Sequence, residues 1–82
     1  MGDKLIIIHQ NIRSLKANFD QFVAELLTYN FLPDIIVLSE IWVNSSGQGF
    51  YNITNYNAFF KFNEQHRAGG IVVYIKKNVL LV

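Results

Sequence analysis

The sequence contains no cysteine, a single proline and a single tryptophan among 82 residues, and its formal charge is only +1. Without cysteine there is no disulfide framework and no thiolate metal site, which fits a reducing compartment. Charged residues make up only 16% of the chain. No whole-surface attraction therefore draws it to a polyelectrolyte, and contact with nucleic acid would have to be local, at a groove. Long hydrophobic runs are missing too. Leu5-Ile-Ile-Ile8 is too short for the core of a signal peptide, and no apolar stretch approaches the ~20 residues that span a bilayer. These absences predict an intracellular protein without a membrane partner, with the nucleus among the compartments open to it. The glycosylation-like triplets Asn44-Ser-Ser46 and Asn52-Ile-Thr54 then read as accidental.

What is present is apolar and aromatic, at 51% hydrophobic and 15% aromatic residues. That composition excludes intrinsic disorder. A chain of this length buries only a little over ~60% of the surface its unfolded form exposes. The sequence therefore reads as one small domain or part of a larger one, with a core larger than 82 residues can cover.

Leu5-Ile-Ile-Ile8 has the character of a strand buried on both faces, as in a parallel sheet covered by helices, ending at the polar His9-Gln-Asn11. The period then changes. Leu15, Phe19, Phe22, Val23, Leu26 and Leu27 recur three or four apart, one stripe of an amphipathic helix. Its start is either Ser14 or a capping box of Asn18 with Gln21; Asn30 and then Pro33 end it. Ile35-Ile-Val-Leu38 repeats the first strand. Strand, helix and strand with short connections make a βαβ unit with parallel strands.

Asn44-Ser-Ser-Gly-Gln-Gly49 reads as a loop. Tyr56 to Phe62 and Ile71-Val-Val-Tyr-Ile75 read as two strands of a long-looped antiparallel hairpin. The sequence closes on Val79-Leu-Leu-Val82. Unprotected apolar strand residues invite pairing with another chain, so this ending suggests a sequence cut short or a sheet edge completed by a partner.

Parallel strands share a carboxyl edge, and ligands of open α/β sheets bind outside that edge. His9, Gln10 and Asn11 follow the first strand; Ser39 and Glu40 follow the second. An amide and a carboxylate distant in sequence should converge there. A dry, unpaired carboxylate is costly, so Glu40, set among apolar neighbours, needs water or a cation. A hard divalent ion prefers such oxygen ligands. The competing reading is a solvated glutamate near a lysine or arginine.

Three motifs occur in order: His9-Gln-Asn-Ile-Arg-Ser-Leu15 ending a strand, Pro33-Asp-Ile-Ile-Val-Leu-Ser-Glu-Ile-Trp42 after a helix, and Arg67-Ala-Gly-Gly-Ile-Val-Val-Tyr-Ile75 as a later strand. Together they resemble the N-terminal portion of the endonuclease/exonuclease/phosphatase superfamily, and most of all the apurinic-endonuclease-like domain of non-LTR retrotransposons. The resemblance covers nearly the whole chain. It implies an α/β fold, an incomplete portion of a two-sheet α/β sandwich, with residues 1–82 as its N-terminal part. It also implies a magnesium- or manganese-dependent phosphodiesterase that nicks DNA.

On that resemblance Glu40 matches the family's metal-binding glutamate, and Asn11 matches the asparagine of the metal and phosphate neighbourhood. These two are the catalytic and metal candidates; Arg13 and Arg67 are the phosphate and DNA candidates, with an ordinary surface arginine as the plainer reading of Arg13. The family's later aspartate–asparagine pair and Ser-Asp-His-like segment have no counterpart here, so the chain alone is expected to lack appreciable nuclease activity. Two other readings stand beside this one. One is a non-catalytic α/β module that self-associates, or binds another protein, through an open sheet edge at Ile71 to Val82. The other is a fragment of a related inositol-phosphate or phospholipid phosphodiesterase.

Several residues are read more plainly. Ser39 has no base at a recognisable spacing and is set aside as a nucleophile. Trp42 is expected to pack against the helix or hairpin, with base stacking as the alternative. His9 and His66 lack a third ligand at zinc-like spacing. Gly69-Gly70 provides backbone freedom before a strand. Arg67, Lys76 and Lys77 form either a modest basic rim for DNA or an ordinary solvated edge.

Overall fold

Backbone pairing, more than side-chain polarity, decides where the first strand lies. In the computed structural model, which describes residues 4–63 and 69–79, β1 runs Ile7–Asn11 and α1 Leu15–Leu26. Next come β2 (Ile35–Ser39), a 3-10 helix (Ser45–Phe50), β3 (Tyr56–Lys61) and β4 (Ile71–Lys76). The expected strand at Leu5–Ile8 is therefore displaced toward the C-terminus and takes in His9, Gln10 and Asn11. These three pair with Val37, Leu38 and Ser39 of β2, because backbone donors and acceptors need partners whatever side chains they carry.

The sheet order is β1-β2-β4-β3. β1 and β2 are parallel, β4 is antiparallel to both β2 and β3, and the expected βαβ unit and long-looped hairpin are both present. Burial of the first strand on both faces is not found. β1 is an edge strand in this sheet, and Ile7 is 56% exposed. Ile71–Lys76 is likewise no free edge, since β4 is paired on both sides; among the described residues the outer strands are β1 and β3. Residues 80–82, the rest of the proposed open edge, lie outside the described residues.

Helix α1 begins where Ser14 offers its hydroxyl to the Ala17 N–H at 3.1 Å, satisfying one orphan donor of the first turn. The Asn18–Gln21 capping box does not form. Asn18 instead donates to the carbonyls of Ile12 and Arg13 at 2.8 and 3.1 Å, tying α1 to the end of β1. The helix also ends before Asn30. Thr28 donates both its N–H (3.0 Å) and its hydroxyl (2.6 Å) to the Glu25 carbonyl, which a continuing helix would give to Tyr29. Leu27 is left 74% exposed. Asn44–Gly49 is no irregular loop but lies mostly in the 3-10 helix, capped by Asn44 Oδ1, which accepts from the Ser46 N–H at 3.1 Å.

The core forms on one face of the sheet. Leu15, Phe19, Phe22 and Leu26 of α1 cluster with Ile36, Leu38, Val72 and Tyr74, joined by Ile12, Ile41, Ile53 and Tyr56. The opposite face follows from the register. Ile7, Ile35, Ile75 and Asn57 form one row across the strands, and His9, Val37, Val73 and Phe59 the next. Asn11, Ser39, Ile71 and Lys61 form the third row, at the carboxyl edge of β1 and β2. No described element covers this face, and Phe59 is 55% exposed on it.

Candidate functional site

The parallel register puts Asn11 opposite Ser39, so the residue after Ser39 reaches the same rim. There Asn11 Nδ2 donates to Glu40 Oε2 at 2.6 Å. Two residues 29 apart in sequence meet as expected. The ladder continues past the strand ends through backbone bonds of 2.9 Å: Ile12 N–H to Ser39 O, Ser14 N–H to Glu40 O, and Leu15 N–H to Ile41 O. On the other side of β2, Ile41 N–H reaches Gly70 O at 3.4 Å, and Trp42 N–H reaches Gly69 O at 3.1 Å. Glu40 is therefore held on both flanks.

That lacing carries strain. Arg13, Ser14, Glu40 and Trp42 all have positive φ (49°, 96°, 53° and 55°), and so do Gly69 and Gly70. Non-glycine residues in this region cost on the order of 1–3 kcal/mol each and cluster where function demands a special geometry. Gly70 cannot be replaced freely: a Cβ there would lie 3.0 Å from Ile41 Cγ1 and 3.3 Å from Lys61 O. The plain expectation for Gly69-Gly70, backbone freedom before a strand, holds.

The Asn11 amide and the Glu40 carboxylate bring oxygen-donor groups to one rim. One carboxylate with an amide and several waters suits magnesium. No three His, Cys, Asp or Glu side chains gather into a metal-holding group among the described residues, so a cation here would rest on this pair and solvent.

A second polar pair sits beside the first. His9 Nε2 and Ser39 Oγ lie 3.0 Å apart. The two side chains stand on adjacent rows of one sheet face, so the register of β1 on β2 brings them together across 30 residues. Arg13 is exposed in the β1–α1 turn. Arg67 and His66 lie outside the described residues. Of the expected basic rim, Lys76 lies away from Glu40: it bridges Asp34 at 3.3 Å, at the opposite end of the sheet.

Lys61, which composition alone did not single out, ends the row Asn11, Ser39, Ile71 at the Glu40 end. It lines, with Glu40, Phe62 and Gly70, a shallow depression of about 490 Å³. Its only trace in the sequence is its place as a cation closing an aromatic strand. Trp42 is 44% exposed, whereas the adjacent Ile41 is fully buried.

At the far end of β1 and β2, Asp34 accepts from the Ile6 N–H at 2.8 Å. That bond, then the hydrogen bond and charge of Lys76, holds the Asp34 carboxyl below its ordinary value despite some desolvation. Burial pushes the Tyr74 hydroxyl well above the usual tyrosine range; it donates to Tyr51 O at 2.7 Å.

No protein-family model and no curated protein matches the chain. Among solved structures it is similar to the 3′ phosphatase NExo from Neisseria bound to a product DNA hairpin, with a TM-score of 0.70 and 22% sequence identity. The match covers 93% of this chain and 28% of that one. It shows the class of fold: an α/β architecture like a portion of that protein's, here a mixed four-stranded sheet with one α-helix among the described residues. The chain spans little more than a quarter of that protein's length.

Proposed function

We propose that the chain is the N-terminal part of a metal-dependent phosphodiesterase acting on DNA, of the retroelement endonuclease type, and that Asn11 and Glu40 form part of its metal and phosphate site. One observation carries this reading: the 2.6 Å bond that joins these residues at the shared carboxyl edge of two parallel strands. The similar fold of a 3′ phosphatase bound to a DNA hairpin supports DNA as the substrate class. The three ordered motifs support the retroelement type.

Glu40 would supply the charge that holds a magnesium or manganese ion, with Asn11 orienting the carboxylate and lending an amide oxygen. When bound, such an ion stabilises negative charge on a phosphoryl oxygen as a Lewis acid. Arg13, exposed in the turn after β1, would meet a backbone phosphate, with Arg67 as a second phosphate contact.

Calorimetric titration with magnesium or manganese tests the reading. The wild-type chain gives a binding isotherm and Glu40→Ala gives none. Identical isotherms for the two would remove the metal role. In a plasmid-nicking assay with magnesium the chain alone shows no turnover, since the later aspartate–asparagine pair and Ser-Asp-His-like segment of the resembled family have no counterpart in it. Nicking that Glu40→Gln abolished would overturn that expectation.

The uncovered sheet face favours a second reading, in which the chain works by association with a second copy of itself. Large apolar side chains such as Phe59 and Ile7, both more than half exposed, mark a surface that soluble monomers seldom leave open as a contiguous patch.

A further inference from the structure

The least explained feature of the rim is Trp42. Its neighbours face inward: Ile41 is fully buried, and Val43 packs against the core cluster. Instead the chain holds Trp42 at φ 55°, with its N–H bonded to Gly69 O at 3.1 Å. Left-handed backbone is a genuine outlier for a bulky residue. Here it accompanies an indole that is left 44% exposed. Ile41 anchors the segment from below, and Gly70 fits against it so closely that a methyl group there would lie 3.0 Å from its Cγ1. The residues on either side of that anchor are the outlying Glu40 and Trp42.

From this placement we infer that Trp42 is a nucleobase-stacking residue, which holds an unpaired base of the strand whose phosphate is bound beside Glu40. The inference rests on the phosphodiesterase reading above and deepens it. Cα atoms two residues apart are separated by at most about 7 Å, and a nucleic-acid strand rises about 3.4 Å per nucleotide. A base within one or two steps of a phosphate at Glu40 is therefore in reach of the indole. An exposed indole offers the flat apolar face on which bases stack without regard to sequence. A base inside an intact duplex is already stacked on both sides, so the ligand is a single-stranded, frayed or terminal nucleotide. Lys61 and Arg13 on the same rim supply cationic contacts for the backbone.

Trp42 is the single tryptophan of the chain, so its emission reports on this position alone. The test titrates the chain, in magnesium, with a short single-stranded DNA and with a base-free sugar-phosphate oligomer of equal length. Binding is followed independently by anisotropy of end-labelled oligomers. Stacking predicts that DNA quenches the emission and the base-free oligomer does not. Trp42→Ala then loses about 5- to 100-fold in affinity for DNA and nothing for the base-free oligomer, while Trp42→Phe keeps most of the affinity.

Equal quenching by both oligomers, unchanged DNA affinity in Trp42→Ala, or no DNA binding by the wild type would each overturn the assignment. So would emission that changes with protein concentration but not with DNA, which would make Trp42 a self-association contact. The metal titration separates the two ideas. A magnesium isotherm lost in Glu40→Ala but kept in Trp42→Ala, together with no base-dependent quenching, sinks the stacking role and leaves the phosphodiesterase reading standing.

Discussion

Glu40 sits in a backbone conformation that its side chain does not favour, and the fold keeps it there with hydrogen bonds to both neighbours. The cost of that geometry can be separated from the carboxylate's own role. Glu40→Ala and Glu40→Gly both remove the acid, but only glycine adopts positive φ freely. Glu40→Gly is expected to be more stable than Glu40→Ala by about 1 kcal/mol, read from urea midpoints with unchanged slope. A lower midpoint for Glu40→Gly would show that the site stores less strain than the ~0.5–1 kcal/mol of backbone entropy that glycine costs. Asp34 gives a pH dependence of known sign. Its folded pKa is depressed, so its contribution is present above the unfolded value of about 3.9 and is lost as pH falls from there through the folded value. The stability gap between wild type and Asp34→Asn should be constant near neutrality and narrow below about pH 4. A gap that does not change with acidification would refute the assignment.

Among the elements, the hairpin is bound to the βαβ unit at both ends by different devices. Near Glu40 the tie is backbone, through Gly69 and Gly70. At the far end, Tyr56 of β3 donates its buried hydroxyl to Pro33 O at 2.6 Å, just before β2. Tyr56→Phe keeps the ring in the core and strips that carbonyl of its partner. The expected loss is about 1–3 kcal/mol in urea unfolding, and a loss below a few tenths would mean that the carbonyl is satisfied some other way. Helix α1 relies instead on one apolar stripe. Leu15 and Leu26, at its two ends, are both buried, which is why its existence could be foreseen from spacing while its C-terminal end could not.

At the scale of the whole molecule, one helix covers one face of the sheet, and the shortest dimension is only 19 Å. The uncovered face, with Ile7, Val37, Val73 and Phe59 on it, should make the chain associate with itself as concentration rises. Phe59→Lys changes an already exposed residue and should return the sedimentation profile to that of a monomer without lowering the urea midpoint. A wild-type chain that stays monomeric at millimolar concentration would exclude the self-association reading.

Periodicity by itself determined the elements: the three-and-four spacing from Leu15 to Leu26, and the β-branched runs at Ile35 and Ile71, reflect which side chains one face of each element must bury. The order of βαβ and hairpin followed from chain connectivity, and with it the meeting of Asn11 and Glu40. Only the tertiary structure decided what depends on contacts between distant segments. β4 rather than β3 lies beside β2, His9 stands against Ser39, Lys61 comes to the rim while Lys76 leaves it, and Trp42 turns outward. Each of these is set by strand register and by backbone hydrogen bonds at the strand ends, which every residue type can make and which therefore leave no mark on composition or spacing.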